Sequence, residues 1–130
     1  MTKNLDKMGL NSIADRYQLF YIDLWGVVHN GVNLHDEAIN VLKQISKKKK
    51  DYVLLTNAPR PNSSVKKFLE KMGMEKEIRD HVFTSGEAAL NYLKKNFLNK
   101  FFFHVGPPRD FDLFKDFEKN KVSDIEKSEY

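Results

Sequence analysis

Uninterrupted apolar runs and helical stripes alternate along this chain. Leu19-Phe20-Tyr21-Ile22 is a continuous apolar run ending at Asp23, and Tyr52-Val53-Leu54-Leu55 is a second one ending at Thr56. A run that is apolar at every position suits a strand of a parallel sheet with helices on both faces. Between the two, Asp36 to Ser46 predicts a helix with Ala38, Val41, Leu42 and Ile45 on one side. Lys47-Lys48-Lys49-Lys50 closes it and complements its dipole. A shorter helical pattern, Leu10 to Tyr17, precedes the first strand, with Asn11 or Ser12 as its cap.

The second half continues the alternation. Asn62 or Ser63 is suited to cap a helix that turns Val65, Phe68, Leu69 and Met72 inward and stops at Gly73. Ile78 to Phe83 reads as a third strand leading into Thr84-Ser85-Gly86, and Ser85, Glu87, Ala88, Ala89, Tyr92 and Leu93 mark a third helix. Phe101 to Val105 is a fourth strand candidate, stopped by Gly106-Pro107-Pro108, and Asp112 to Phe117 a short helix. From Glu118 the chain is mostly charged without an apolar face, which predicts a frayed tail. Residues 1–117 therefore form one unit and residues 118–130 a charged extension. Strand and helix in regular succession, joined by short connections, specify an α/β layered fold with a mainly parallel sheet and right-handed crossovers. Ligands of such sheets bind beyond the carboxyl ends of the strands, here at Asp23, Thr56 and Ser85.

Composition narrows the function classes. The 130 residues suit one domain, and 41% hydrophobic content with ten Phe and five Tyr suffices for one core. No apolar run approaches the roughly 20 residues of a bilayer-spanning helix, and the polar stretch Met1–Lys7 leads into no signal-like segment. The absence of cysteine excludes disulfides, thiolate catalysis and thiolate metal sites. These features predict a soluble cytoplasmic protein without a membrane partner. The net charge of +4 concentrates in the lysine run, which no aromatic residue interrupts, so nucleic acid is not the expected partner.

Chemistry concentrates at the strand tips. A carboxylate at the position of Asp23, ahead of a glycine-containing loop, can attack phosphorus, hold a magnesium ion, or simply cap the following turn. Thr56-Asn57 offers a hydroxyl and loop N–H groups, a natural phosphate cradle or an ordinary turn. Arg60 in Ala58-Pro59-Arg60-Pro61 is either a phosphate clamp or a solvated side chain. His35, His81 and His104 show no ligand-like spacing.

Two of these segments carry a resemblance. Tyr21-Ile22-Asp23-Leu24-Trp25-Gly26-Val27-Val28 resembles the first motif of the haloacid dehalogenase superfamily, and Leu54-Leu55-Thr56-Asn57 resembles its second. The words Asp-Leu-Trp-Gly-Val-x-His-x-Gly and Thr-Asn-Ala-Pro-Arg-Pro are similar to a branch of the capped subfamily IIA, which includes phosphatases of the NagD and nitrophenylphosphatase type. Thr84-Ser85-Gly86-Glu87-Ala88-Ala89 matches the next strand-to-helix turn of that branch. The resemblance runs from about Leu10 to Phe117. It implies a Rossmann-like fold, Asp23 as a nucleophile forming an aspartyl phosphate, and Thr56 with the Asn57 N–H on the phosphate. It also implies Mg2+ held by the Asp23 carboxylate and the Trp25 backbone carbonyl, and a small phosphorylated molecule as substrate.

The sequence departs from the family pattern in two ways. Trp25 stands where the family usually has an acid/base aspartate, and an indole cannot exchange a proton with a leaving alcohol. His29 is a candidate substitute proton donor, or a residue that holds the loop. The family's lysine and acidic metal ligands belong to later motifs; Asp110, Asp112, Asp116 and Asp124 follow neither an apolar run nor a strand exit. The expectation is an incomplete core, a truncated or partial enzyme. Its Asp23 strand then becomes an exposed sheet edge that pairs with a second copy or a complementing chain. The alternative is a non-catalytic phosphate-, nucleotide- or partner-binding fragment.

Overall fold

The computed structural model describes residues 5–130, except for the side chains of residues 109–111, so that of Asp110 lies outside it. Two short helices, α1 (Leu5–Met8) and α2 (Asn11–Ala14), lead into β1 (Leu19–Asp23). Then follow α3 (Asp36–Lys47), β2 (Asp51–Thr56), α4 (Asn62–Lys71), the single turn α5 (Lys76–Arg79), β3 (Val82–Thr84) and α6 (Ser85–Asn96). A 3-10 segment, Pro108–Asn120, and a short one, Ile125–Lys127, complete the chain.

The strands form a parallel sheet in the order β1-β2-β3, with Leu19 to Asp23 opposite Asp51 to Leu55 and Thr56 opposite Thr84. The layered α/β class and the parallel sheet are thus as the sequence predicts. The covering of the sheet is not. Two right-handed crossovers stepping in the same direction lay both connecting helices on one face. Leu42 and Ile45 of α3 and Val65 and Leu69 of α4 accordingly pack with Tyr52, Leu54 and Val82 in one core. On the other face Leu19, Tyr21, Leu55 and Phe83 are exposed, Tyr21 by 69%. Among the described residues β1 pairs with β2 alone, so it is an edge strand.

Three local expectations change. Ile78 belongs to α5, not to a strand, because the chain spends a helical turn before Val82 joins the ladder. No side chain caps α4; Asn62 Oδ1 instead accepts the Thr84 N–H at 2.9 Å. Nor does Asn11 or Ser12 cap α2, since the Ser12 hydroxyl donates to the Gly9 carbonyl. The α4 stop is as predicted, with Gly73 at φ 86°, a conformation that a side chain disfavours.

The last third of the chain builds a second core. Phe102 makes one parallel bridge to Lys121 instead of a sheet strand. Leu90 of α6 packs with Phe102, Leu113 and Phe117, and Tyr130 sets its ring 4.5 Å from that of Phe97. The tail beyond Glu118 is therefore anchored and not frayed. Phe102 N–H donates to the Asn120 carbonyl at 3.0 Å, Val122 N–H to the Phe102 carbonyl at 2.9 Å, and Glu129 N–H to the Phe101 carbonyl at 2.8 Å. These backbone pairings need no apolar periodicity, which is why the charged sequence conceals them.

Candidate active site

The ladder register brings the tips of β1 and β2 side by side, with Asp23 opposite Leu55 and Thr56 one residue beyond. Asp23 is exposed, and its Oδ1 accepts the Leu24 N–H at 2.8 Å. That bond fixes the carboxylate at the mouth of the following loop. The loop folds back on itself: Val28 and His29 both donate N–H groups to the Leu24 carbonyl, and Gly26 N–H donates to the His29 carbonyl at 2.7 Å. Asn30 Oδ1 accepts from the N–H groups of Val32 and Asn33, a side-chain turn that closes the loop's far end.

This tight loop leaves Trp25 67% exposed and buries His29. His29 Nδ1 accepts the Gly31 N–H at 3.0 Å, and its ring meets Phe68 edge-on at 5.8 Å. Burial, then the neighbouring His35, hold its pKa below the ordinary histidine value, against a smaller opposing pull from Asp23. The imidazole is therefore neutral near pH 7 and carries its proton on Nε2, a geometry in which it holds the loop.

Thr56 is buried, and its hydroxyl oxygen accepts the Ala58 N–H at 3.3 Å, which leaves the hydroxyl proton able to point at a ligand. A cavity of 330 Å³ beside it is lined by Trp25, His29, Asn57, Arg60 and Phe68. Asp23 opens onto a second cavity of 670 Å³, along the bare sheet face with Tyr21, Leu55 and Phe83. The two cavities share Thr56 and Asn57. All six candidate residues thus stand around one rim, with Thr56-Asn57 as its common edge and Asp23 on one side. Among the described residues, no carboxylate lines the cavity on the Trp25 side.

Sequence reasoning missed the residues that fix this rim from behind. The third strand ends at Thr84, not Ser85; Ser85 starts α6 and its hydroxyl donates to the Ala58 carbonyl at 3.0 Å. Thr84 caps α6 by accepting the Glu87 N–H at 2.9 Å, and Glu87 in turn accepts the Asn62 N–H. A glycine in the first turn of an otherwise good helix, Gly86, was the available signal that backbone approaches there.

A family model for haloacid dehalogenase-like hydrolases matches residues 20–118, most of the chain and both strand tips. The chain belongs to the haloacid dehalogenase-like hydrolases. Among solved structures it resembles a haloacid dehalogenase-like hydrolase from Brucella suis 1330, at 31% identity and TM-score 0.71 over 82% of this chain. A 4-nitrophenylphosphatase from Thermotoga maritima is 28% identical over 86% of it, with TM-score 0.64. A glycerol phosphate phosphatase from Mycobacterium tuberculosis, solved with magnesium, shares the fold at 23% identity over 85% and TM-score 0.61. This chain spans only 38%, 42% and 33% of those three structures, so it matches the N-terminal part of a haloacid dehalogenase-like hydrolase. No curated protein sequence matches it. Among the described residues, no helix is long and apolar enough to cross a membrane.

Proposed function

We propose that the chain is the front part of a cytoplasmic phosphomonoester hydrolase core in which Asp23 is the nucleophile. The observation that carries this reading is the shared rim, where Asp23 and the Thr56-Asn57 edge flank one opening. An Asp23 carboxylate oxygen bonds to phosphorus as the ester P–O bond breaks. The bond pair leaves with the substrate oxygen, which takes a proton from solvent. The Thr56 hydroxyl and the Asn57 N–H hold phosphate oxygens, and Arg60 approaches from the side of the Trp25 cavity. His29 is the remaining candidate for proton transfer, and its neutral state favours the loop-holding role.

The Asp23 carboxylate and the Trp25 carbonyl are hard oxygen donors of the kind Mg2+ prefers, so they fit such an ion in type. They are few, and no group of three or more acidic, histidine or cysteine residues completes a shell among the described residues. Bound magnesium would offset charge on the phosphoryl group. Water, or a further polypeptide segment that pairs with β1 and covers Leu19, Tyr21, Leu55 and Phe83, would complete such a shell. A second copy of the chain or a complementing one supplies that segment.

The test is magnesium-dependent phosphate release from small phosphomonoesters by this chain and by Asp23→Asn. Turnover that vanishes in the variant supports the reading, and turnover that persists removes Asp23 from the chemistry. The absence of a carboxylate beside Trp25 favours a second reading, a phosphate-binding domain without catalysis. Orthophosphate binding with no turnover in either protein would select it.

A further inference from the structure

The segment from Ala58 to Asn62 is a loop with two prolines and no ladder partner, yet six hydrogen bonds tie the turn between β3 and α6 to it and to itself. The Ala58 carbonyl accepts from Gly86 N–H at 3.1 Å and from the Ser85 hydroxyl at 3.0 Å. The Arg60 carbonyl accepts from the Thr84 hydroxyl at 2.5 Å. Asn62 exchanges bonds in both directions: Oδ1 accepts Thr84 N–H at 2.9 Å, and its N–H donates to Glu87 Oε2 at 2.9 Å. Thr84 is fully buried, and its hydroxyl closes the set by accepting the Glu87 N–H. The turn also permits no side chain at Gly86. A Cβ there would meet the backbone of Arg60, its carbonyl carbon at 2.6 Å, and backbone cannot rotate aside as a flexible side chain can.

We infer that Thr84 and Gly86 are positioning residues for the phosphate cradle, holding the loop backbone that presents Thr56, Asn57 and Arg60 to the rim. Thr84 lines the Asp23 cavity, and Arg60, whose carbonyl it holds, lines the other. The Pro61 carbonyl is held by the Ser64 and Val65 N–H groups of α4, whereas the Ala58 and Arg60 carbonyls bond to the β3–α6 turn. Thr84 carries the decisive bond because one hydroxyl both donates to the loop and caps the helix behind it. This inference rests on the cradle reading given above.

The experiment uses the full chain, with orthophosphate as probe and the fluorescence of its single tryptophan, Trp25, as signal. Thr84→Val, Thr84→Ser and Gly86→Ala are compared with the parent, each shown to be folded by circular dichroism at the temperature of titration. Thr84→Val and Gly86→Ala are expected to weaken orthophosphate about tenfold or more, the effect of losing roughly one well-placed hydrogen bond to it. Thr84→Ser keeps the hydroxyl and restores binding to within a few fold. Amide hydrogen exchange supplies a second readout that does not need the ligand: Ala58 and Asn62 exchange faster in both weakened variants while Leu54 in the core does not. Folded variants that bind as the parent does, or a Thr84→Ser protein as poor as Thr84→Val, would overturn the inference and leave the cradle standing. A parent that does not bind orthophosphate removes the cradle reading. In that case unchanged loop exchange would overturn the latch as well, while accelerated exchange in the variants would show that the latch itself holds.

Discussion

The two faces of the sheet are made of the same kind of residue and have opposite fates. On β2, Leu54 is completely buried under α3 and α4, while its neighbour Leu55 is 43% exposed. Nothing in Tyr52-Val53-Leu54-Leu55 distinguishes them, since each is apolar and each sits in the same ladder. What separates them is topology: successive crossovers in one direction stack their helices on one side only. Leu19, Tyr21, Leu55 and Phe83 together leave that face apolar and exposed.

The comparison is sharpest at those two neighbours. Leu54→Ala removes a fully enclosed side chain and is expected to destabilise the fold by about 2–5 kcal/mol. Leu55→Ala at the adjacent position should change stability by no more than about 0.5 kcal/mol. Urea titration of both proteins measures the difference, and equal losses would mean that the second face is also packed in solution.

A smaller effect is expected on the covered side at acid pH. His29 is held below its ordinary pKa in the folded protein, so the unfolded chain takes up its proton first. Stability contributed by neutral His29 is complete above about pH 6.5, the unfolded value, and declines as pH falls toward the folded pKa. Thermal melts between pH 7.5 and 5 should show a shallower acid loss in His29→Gln than in the parent; parallel curves would remove His29 as the source.

The smallest effect on the fold, and a large one on assembly, belongs to the bare face. Tyr21→Lys and Leu55→Lys, each placing charge on exposed positions, should leave the melting temperature within a few degrees. They should also shift sedimentation of concentrated protein toward the monomer. If the parent is already monomeric at those concentrations, copies of this chain do not pair through the bare face.

How much of this was legible beforehand follows from the range of each signal. The strand tips were plain in the sequence because an apolar run ending in Asp23 or Thr56 is a local pattern. The helix α3 was equally plain, since Leu42 and Ile45 recur at helical spacing. Which sheet face is covered was not, because it depends on strand order. The anchored tail was hidden because its ties are backbone bonds from Phe101 and Phe102 to residues about thirty and twenty positions away. At the site, Asp23, Thr56 and Arg60 were identifiable by residue type. Thr84 was not, because it acts on the loop from another element, and Asn62 read only as an ordinary helix-start residue in sequence.

Helix α6 touches both the loop after β2 and the aromatic cluster of the last third, which also meets α4 directly through Ser64 and Asp112. Its first turn grips the loop at Ala58 and Arg60, and Leu90 along its length is seated in the aromatic cluster of Phe102 and Phe117. Twelve residues make a rod about 18 Å long at about 1.5 Å per residue. Leu90 lies five residues, about 7.5 Å, from Ser85, so a tilt of about eight degrees about the cluster displaces the first turn by about an ångström. The helix is in this sense a lever with the cluster at its fulcrum, and a mechanical load on the last thirty residues is felt at the strand tips without passing through the sheet.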